Sequence, residues 1–475
     1  MAILLILSKL LGFLREILLA DRFGTSYIAD AYAVSTTLPA VLFTLVSKGF
    51  SESYIPIHAR LIPEKQGRLF SNTVTSMTLF STFVAVVAAL LAPQITGILA
   101  PGYEGVVAQL TAQYCRIMVF QLPILVCFSL FSARLQAQED FILGSFCDFI
   151  IVNVILILSI YLATPEHPMM LAYGYIISMG VALAALWLYA RCKHGLRVRP
   201  VVDPKDSDFR SLCALAIPLG LSLLADQLNG MVDRMFASGL GEGVTSALSY
   251  ANRVQSILLT LTTTIFIQVC YPRMNRHFAA GQREEGSGYV QKAILIACYT
   301  SIPLVVMFVL YASPVVSVIF QRGAFSDDST AITAACLSLY ALGIPFFAFR
   351  TILTNTLAAN TKQKLILRNT IITVAANILF NVLMVRYWGY RGLALATSLS
   401  GVLAAGLMFF DVRRLKLPVF TRYQALDVAK YIVGTGLAAA VSVPVNRCLQ
   451  DSVGTNWAAM AAIAAAAVVY IVVTV

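Results

Sequence analysis

Charged residues are scarce in this chain of 475 residues: only 12% are Asp, Glu, Lys or Arg, whereas 59% are hydrophobic. A soluble globular domain usually carries about 25% charged residues. The mean hydropathy of +0.80 agrees with this shortage of charge. The composition therefore excludes an ordinary soluble protein and predicts that most of the chain lies in a lipid bilayer.

Histidine and cysteine are also few, and their spacing excludes the usual metal and disulfide frameworks. The four histidines fall in predicted loops or at segment ends, without the spacing of zinc ligands. The nine cysteines are odd in number and contain no CxxC pair, so we interpret them as small apolar residues of helices. The chain also has no P-loop, so we expect no ATP hydrolysis and a supply of energy from an ion gradient or the membrane potential.

Long apolar segments dominate what is present. A hydrocarbon core about 30 Å thick needs about 20 helical residues, and fourteen segments meet this length. They lie near residues 2–20, 28–57, 70–99, 107–133, 141–163, 168–190, 211–238, 245–272, 289–320, 329–360, 365–385, 391–412, 424–446 and 457–475. The sequence thus predicts an all-α integral membrane protein with about 14 transmembrane helices. Met1 leads directly into apolar sequence without a cleavage site, so we expect no signal peptide.

The second half of the chain echoes the first at an offset of 221 to 222 residues. Pro93, Cys115 and Pro123 of the first half are matched by Pro314, Cys336 and Pro345 of the second. Duplicated helical halves are typical of secondary transporters, in which the substrate path lies between the repeats. We therefore predict six-helix lobes at residues 1–200 and 201–415 and two additional helices at 416–475. Because each lobe has an even number of spans, both lobes run in the same direction.

Lysine and arginine predict the orientation of the spans. Loops after even-numbered spans hold most of them: Arg60, Lys65, Arg68, Arg134, Arg191, Lys193, Arg197, Arg199, Lys205, Arg210, Arg273, Arg276, Arg283, Lys362, Lys364, Arg368, Arg413, Arg414, Lys416 and Arg422. This excess places the even loops and both termini in the cytoplasm. The net charge of +11 is then a consequence of topology, and we expect no nucleic-acid partner.

Two arginines stand within otherwise apolar or small-polar spans, Arg15 in the first and Arg253 in the eighth. A charge at bilayer depth is unfavourable unless it faces a wet cavity or a partner, which makes each a candidate site residue. Each arginine lies in the first two spans of its own half, so we expect both to face one cavity. There their guanidinium groups would bind an anionic substrate in bidentate fashion, and Lys9 would add a mobile point charge. The alternative is that these charges only pair with each other or reach the headgroups.

A second candidate site consists of oxygen ligands. Asn377 and Asn381 are four residues apart and share one helix face. With the Thr397 hydroxyl, a backbone carbonyl near Leu393 and the Asp233 carboxylate, they form an oxygen set suited to a sodium ion. The alternative is that these side chains only hydrogen-bond helices together.

Several local motifs resemble the MviN/MurJ family of lipid II flippases. They include the run SKLLGFLRE at residues 8–16, ADAY at 29–32, SYANR at 249–253, FQRGAF at 320–325 and GLALATS at 392–398. The resemblance covers nearly the whole chain. It implies a fourteen-helix transporter of the multidrug/oligosaccharidyl-lipid/polysaccharide exporter superfamily. Its substrate would be the undecaprenyl-diphosphate-linked peptidoglycan precursor, flipped across the bacterial cytoplasmic membrane by alternating access, and we expect a monomer without covalent chemistry.

The same resemblance assigns roles to individual positions. Residues matching the family's substrate cavity are Lys9, Arg15, Glu16, Asp30 and Arg253, with Lys9 in place of an arginine. Residues matching the sodium site described in some members are Asp233, Asn377, Asn381, Leu393 and Thr397. Asn381 stands where an aspartate is usual, so the site would carry one less negative charge.

The second span departs from the family pattern and leaves other functions open. The family's arginine pair and Ala-Glu-Gly are replaced by Leu42-Phe43 and Ser47-Lys48-Gly49. This favours, as the alternative, a flippase for an O-antigen, teichoic or capsular lipid intermediate. A membrane glycosyl- or phosphotransferase would need an acidic catalytic motif, and the only acid-rich loops are 203–208 and 326–328. A drug/cation antiporter of the same superfamily would prefer an acidic cavity over a basic one.

Overall fold

The computed structural model describes residues 2–140, 142–419 and 422–474, and within these ranges helices are joined by turns and loops, with no β-strand. The α-helices are α1 (Ala2–Phe23), α2 (Tyr27–Ser35), α3 (Thr37–Phe43), α4 (Gly49–His58), α5 (Pro63–Leu90), α6 (Ala92–Leu99), α7 (Gly105–Met118), α8 (Gln121–Gln136), α9 (Ile142–Phe146), α10 (Val152–Leu162), α11 (Met170–His194), α12 (Ser207–Ser238), α13 (Val244–Ile265), α14 (Tyr271–Ala279), α15 (Arg283–Leu310), α16 (Ala312–Phe320), α17 (Asp327–Ala341), α18 (Ile344–Ala359), α19 (Gln363–Arg414), α20 (Arg422–Val453) and α21 (Thr455–Thr474). Three π-helical segments interrupt them, at Thr44–Lys48, Cys147–Ile151 and Phe266–Cys270. The predicted all-α membrane fold is confirmed.

Helices occupy all fourteen predicted spans, although fewer pass a strict test of length and hydropathy. In the described part of the chain ten helical runs pass, or eleven if α17 and α18, bent by 45°, form one span. The 52-residue α19 contains two predicted spans, which join at Gly389 with φ 53° and ψ −131°. Only glycine adopts this backbone conformation readily. Two further predicted spans, α1 and α12, are 22 and 32 residues long but carry several charges.

The duplication seen in the sequence is repeated in the helices. The π-helical segments 44–48 and 266–270 start 222 residues apart, as do α4 and α14, and α7 and α17. A π-helical turn holds one more residue than an α-helical turn and is rare, so its recurrence at the repeat offset indicates common ancestry of the two halves.

By Cα packing the chain divides into two compact units, Met1–Ser246 and Ala247–Val475. The first unit includes α12, which crosses α4 so closely that a Cβ built on Gly49 would lie 2.1 Å from the carbonyl oxygen of Ala216. Glycine is therefore required where these helices meet. The boundary at residue 200 was predicted from sequence similarity between the halves, and it stays a prediction. The boundary between the packed units falls later, after α12.

The second unit is built around α15. One apolar core joins α15 to α14, α18 and the end of α19 through buried residues such as Ile294, Ile352 and Met408. A second core joins α15 to the two additional helices α20 and α21, through Met307, Ala438 and Ala462. The small alanines of α21 let the helix backbones approach closely, as is usual in membrane helix pairs.

Candidate functional site

Arg15 is held inside the first unit by its neighbour on α1. Its terminal nitrogen lies 2.7 Å from the Glu16 carboxylate, and the two side chains are only 19% and 15% exposed. Tyr32 and Tyr175 are close enough to interact electrostatically with the guanidinium, and their rings meet edge to face at 6.5 Å. A guanidinium carries five N–H donors in a planar fork. Bound by one acid and flanked by two aromatic rings, Arg15 can present its other donors to an anion.

The other predicted basic residues, Lys9 and Arg253, are both exposed. Lys9 is exposed on α1, and six residues of α-helix turn it about 120° away from the face of Arg15. Arg253 is exposed on α13 in the second unit. Two residues later, the buried Gln255 donates a hydrogen bond of 2.8 Å to the Tyr340 carbonyl, which fixes α13 against α17. Arg15 and Arg253 belong to different units, and their predicted joint role stays a prediction.

Asp30 has contacts that the sequence did not predict. Its side chain is 1% exposed, and its two carboxylate oxygens accept hydrogen bonds from the backbone nitrogens of Gly243 at 2.6 Å and Ser246 at 2.7 Å. These donors belong to the turn that opens α13. A carboxylate at a helix N-terminus satisfies unpaired N–H groups and interacts favourably with the helix dipole. Asp30 is therefore a helix cap, and its predicted contact with substrate stays a prediction.

A cavity of about 260 Å³ lies beside Asp30 in the first unit. Two acids, Glu104 and Glu242, line it together with Tyr103 and Ser238. The Tyr103 hydroxyl donates a hydrogen bond of 2.9 Å to Thr245, and burial raises the pKa of Tyr103 above its usual value. The acidic lining disfavours an anionic ligand here, unlike the surroundings of Arg15.

The structure brings four of the five predicted sodium ligands together on α19 in the second unit. Asn377, Asn381 and Leu393 are fully buried. The Asn381 amide donates to the Asn377 side-chain oxygen at 3.1 Å, and Thr397 donates to the Leu393 carbonyl at 3.2 Å. Ser400, which the sequence did not single out, lies 3.5 Å from the Asn377 amide and links the two halves of α19.

Asp233, the fifth predicted ligand, lies half-buried on α12 in the first unit. The described residues contain no group of three or more His, Cys, Asp or Glu side chains suited to a metal. The neutral oxygens of α19 nevertheless suit a hard monovalent cation, because sodium prefers oxygen ligands and does not require several carboxylates. Their mutual hydrogen bonds are also those expected if they only hold the helices together.

Comparisons with known proteins agree on one family. The family model described as "Lipid II flippase MurJ" matches residues 19–463. Curated relatives include a probable lipid II flippase MurJ of Rickettsia prowazekii, 26% identical over 88% of this chain and 84% of that protein. Another, from Rhizobium meliloti, is 27% identical over 91% of this chain and 84% of its own length.

Solved structures show the same fold. A lipid II flippase MurJ in an inward closed conformation aligns with a TM-score of 0.85 at 19% identity, covering 100% of this chain and 97% of that one. A multidrug resistance MATE transporter of the MOP superfamily, in an inward-facing conformation, aligns with a TM-score of 0.72 at 14% identity. That alignment covers 86% of this chain and 94% of the transporter.

Proposed function

Since the chain belongs to the lipid II flippase MurJ family, we propose that it moves lipid II from the cytoplasmic to the outer leaflet of the bacterial cytoplasmic membrane. Alternating access of its substrate path to the two leaflets would carry the headgroup across. The observation that carries this proposal is Arg15, an arginine held within a membrane helix by Glu16. An arginine in that setting suits the diphosphate that links the lipid to its sugar, because guanidinium binds phosphate through two parallel hydrogen bonds.

The energy for flipping comes, in this proposal, from an ion gradient or the membrane potential and not from ATP. Both termini face the cytoplasm, as the excess of Lys and Arg in the even-numbered loops favours. The protein acts as a monomer and binds no nucleic acid.

The second candidate function is a flippase for another lipid-linked oligosaccharide, such as an O-antigen, teichoic or capsular intermediate. Lys9 favours it, because Lys9 replaces the family's arginine and lies exposed about 120° around α1 from Arg15. The absence of the second-span arginine pair, where this sequence has Leu42-Phe43, favours it as well.

One experiment separates the two candidates. Cells depleted of their native lipid II flippase receive this gene, and translocation of lipid II is measured directly. We expect rescue. In parallel, proteoliposomes containing the purified protein receive lipid II or an undecaprenyl-diphosphate-linked O-antigen, teichoic or capsular glycan. Failure to rescue, together with translocation of one of the other glycans, would replace the first candidate by the second.

We also propose that sodium binds through Asp233, Asn377, Asn381, Leu393 and Thr397. With only one carboxylate in the set, the ion is held weakly, so sodium should stabilise the protein at tens of millimolar concentration, whereas potassium and choline should not. The measurement is thermal unfolding of the purified protein in each chloride salt, with Asp233→Ala expected to remove the sodium effect. Identical melting curves in sodium and potassium would favour the helix-packing alternative.

A further inference from the structure

Three polar side chains lie buried together in the first unit, outside the site described above. Tyr54 and His58 are one turn apart on α4, with ring centroids 5.5 Å apart, and Arg134 lies near the end of α8. The exposed fractions of Tyr54, His58 and Arg134 are 0%, 5% and 8%. Arg134 does not belong to a loop, contrary to the prediction from the Lys and Arg pattern: it lies on α8 and is buried.

Arg134 contacts two polar side chains among the described residues, Gln66 and Tyr54. Its Nη1 donates to the side-chain oxygen of Gln66 at 3.4 Å. The Gln66 amide nitrogen in turn donates to the carbonyls of His58 at 3.3 Å and Leu61 at 3.0 Å. Gln66 is neutral, so it orients the guanidinium without balancing its charge.

Three groups of the cluster have no hydrogen bond of good geometry among the described residues: the Arg134 Nε, the Tyr54 hydroxyl and the His58 Nε2. The guanidinium lies within reach of the Tyr54 oxygen, which can accept from it while the hydroxyl hydrogen still needs an acceptor, and it acts electrostatically on His58. Native proteins satisfy nearly all buried polar groups. All three groups can donate, the histidine in one neutral tautomer or as imidazolium, and the shared need of this cluster is therefore an acceptor.

No ion pair of Arg134 is found among the described residues. The ion pairs described in the first unit join Arg15 to Glu16, Arg68 to Asp203 and Asp206, and Asp140 to Lys193 and His194. None of these acids is paired with Arg134. The surroundings are apolar: Phe70 lies 6.0 Å from the Tyr54 ring and 5.1 Å from Phe131, centroid to centroid. A cation without an anionic partner is strongly disfavoured in such surroundings.

We propose that Tyr54, His58 and Arg134 form a binding site for a small monovalent anion of the chloride type. Such an anion accepts one hydrogen bond from each donor and neutralises the buried guanidinium. One donor from each of three side chains suits a spherical ion better than a phosphate, which arginine binds through a two-pronged fork. The ion would join the end of α4 to the end of α8. This site is separate from Arg15 and does not depend on the flipping proposal.

The test compares thermal unfolding of the purified full chain in sodium chloride and in sodium gluconate at equal ionic strength. Sodium is constant, so the proposed cation site does not contribute to the difference. We expect a melting temperature several degrees higher in chloride, and saturable binding of radioactive chloride that bromide displaces. Arg134→Gln should abolish both effects, whereas Arg60→Gln, which changes an exposed arginine near the end of α4, should leave both intact.

Tyr54→Phe supplies a second measurement if Arg134→Gln does not fold. It removes one donor while keeping the ring, so chloride affinity should fall severalfold, and His58→Gln should act similarly. Equal melting curves in chloride and gluconate would overturn the proposal and leave ordered water as the acceptor. A chloride effect that persists in both Arg134→Gln and Tyr54→Phe would place the anion elsewhere.

Discussion

At the residue scale, single charged groups inside a membrane protein could be recognised from sequence, but their partners could not. Arg15 and Glu16 are adjacent, so their ion pair is local. The aromatic neighbours of Arg15, Tyr32 and Tyr175, come from α2 and α11 and are brought to it only by the fold. The partner of Asp30 was still harder to predict, because Gly243 is 213 residues away in the chain.

Arg15 and Arg253 provide the first prediction. Arg15→Ala or Arg253→Ala should abolish lipid II translocation while the protein still accumulates in the membrane. Arg15→Lys should retain partial activity, reduced about tenfold, because losing one charge-assisted hydrogen bond costs about 1.5 kcal/mol. Arg22→Ala, at the exposed end of the same helix, is the matched control and should retain activity. Full complementation by both alanine variants would exclude these arginines from substrate binding.

The second prediction concerns the cap formed by Asp30. Asp30→Ala leaves the backbone N–H groups of Gly243 and Ser246 without their acceptors and should lower the free energy of unfolding by about 2 kcal/mol. Asp30→Asn keeps one acceptor oxygen and should lose less. Thermal unfolding of the purified variants measures both. Glu104→Ala, an exposed acid on the same cavity, should be nearly neutral. If Asp30→Ala and Glu104→Ala melt alike, the capping interpretation is wrong.

At the scale of helices, hydropathy located the spans because a lipid-facing helix must be apolar over its whole length. It could not locate the π-helical segments 44–48 and 266–270, because one extra residue in a turn leaves the composition unchanged. Those segments set which face of the following helix meets its neighbours. Gly49, directly after the first of them, packs against α12. The sequence around Gly49 does not predict this contact, because its partner comes from a distant helix.

The third prediction tests that contact. Gly49→Ala introduces a methyl group 2.1 Å from the Ala216 carbonyl oxygen, so the helices must separate, and overpacking of this kind costs about 1–3 kcal/mol. Gly67→Ala is the control, because a Cβ at Gly67 meets nothing within 4 Å. It should be neutral or stabilise the exposed helix by about 0.5–1 kcal/mol. Melting temperatures of the two purified variants provide the comparison, and equal values would show that α4 and α12 do not need a glycine.

At the scale of the whole molecule, the duplication could be recognised from the sequence because matched prolines preserve it, and the matched helix starts agree with it. The boundary between the compact units could not be predicted from the duplication. Packing assigns α12 to the first unit, although the repeat counts it as the first helix of the second half. Sequence similarity records descent, whereas compactness depends on close contacts such as the one at Gly49.

Orientation is the last prediction, and it follows from the Lys and Arg excess in the even-numbered loops. In a background without the nine native cysteines, single cysteines at Ser207 and Gln282 should be shielded from an impermeant thiol reagent in intact cells. Cysteines at Glu104 and Glu166 should react. All four positions are exposed, so membrane sidedness and not burial decides the result. Glu104 is preferable to the neighbouring Gly105, whose φ of 57° disfavours any side chain.

The labelling pattern also tests how the two halves run. Ser207 begins the first helix of the second half, and an even number of spans in the first half places it on the same side as the N-terminus. Gln282 lies two spans later and must share that side if both halves run in the same direction. Labelling of Ser207 from outside would reverse the orientation of the whole molecule. Labelling of Gln282 alone would mean that α12 or α13 does not cross the membrane, and the parallel arrangement of the halves would then be wrong.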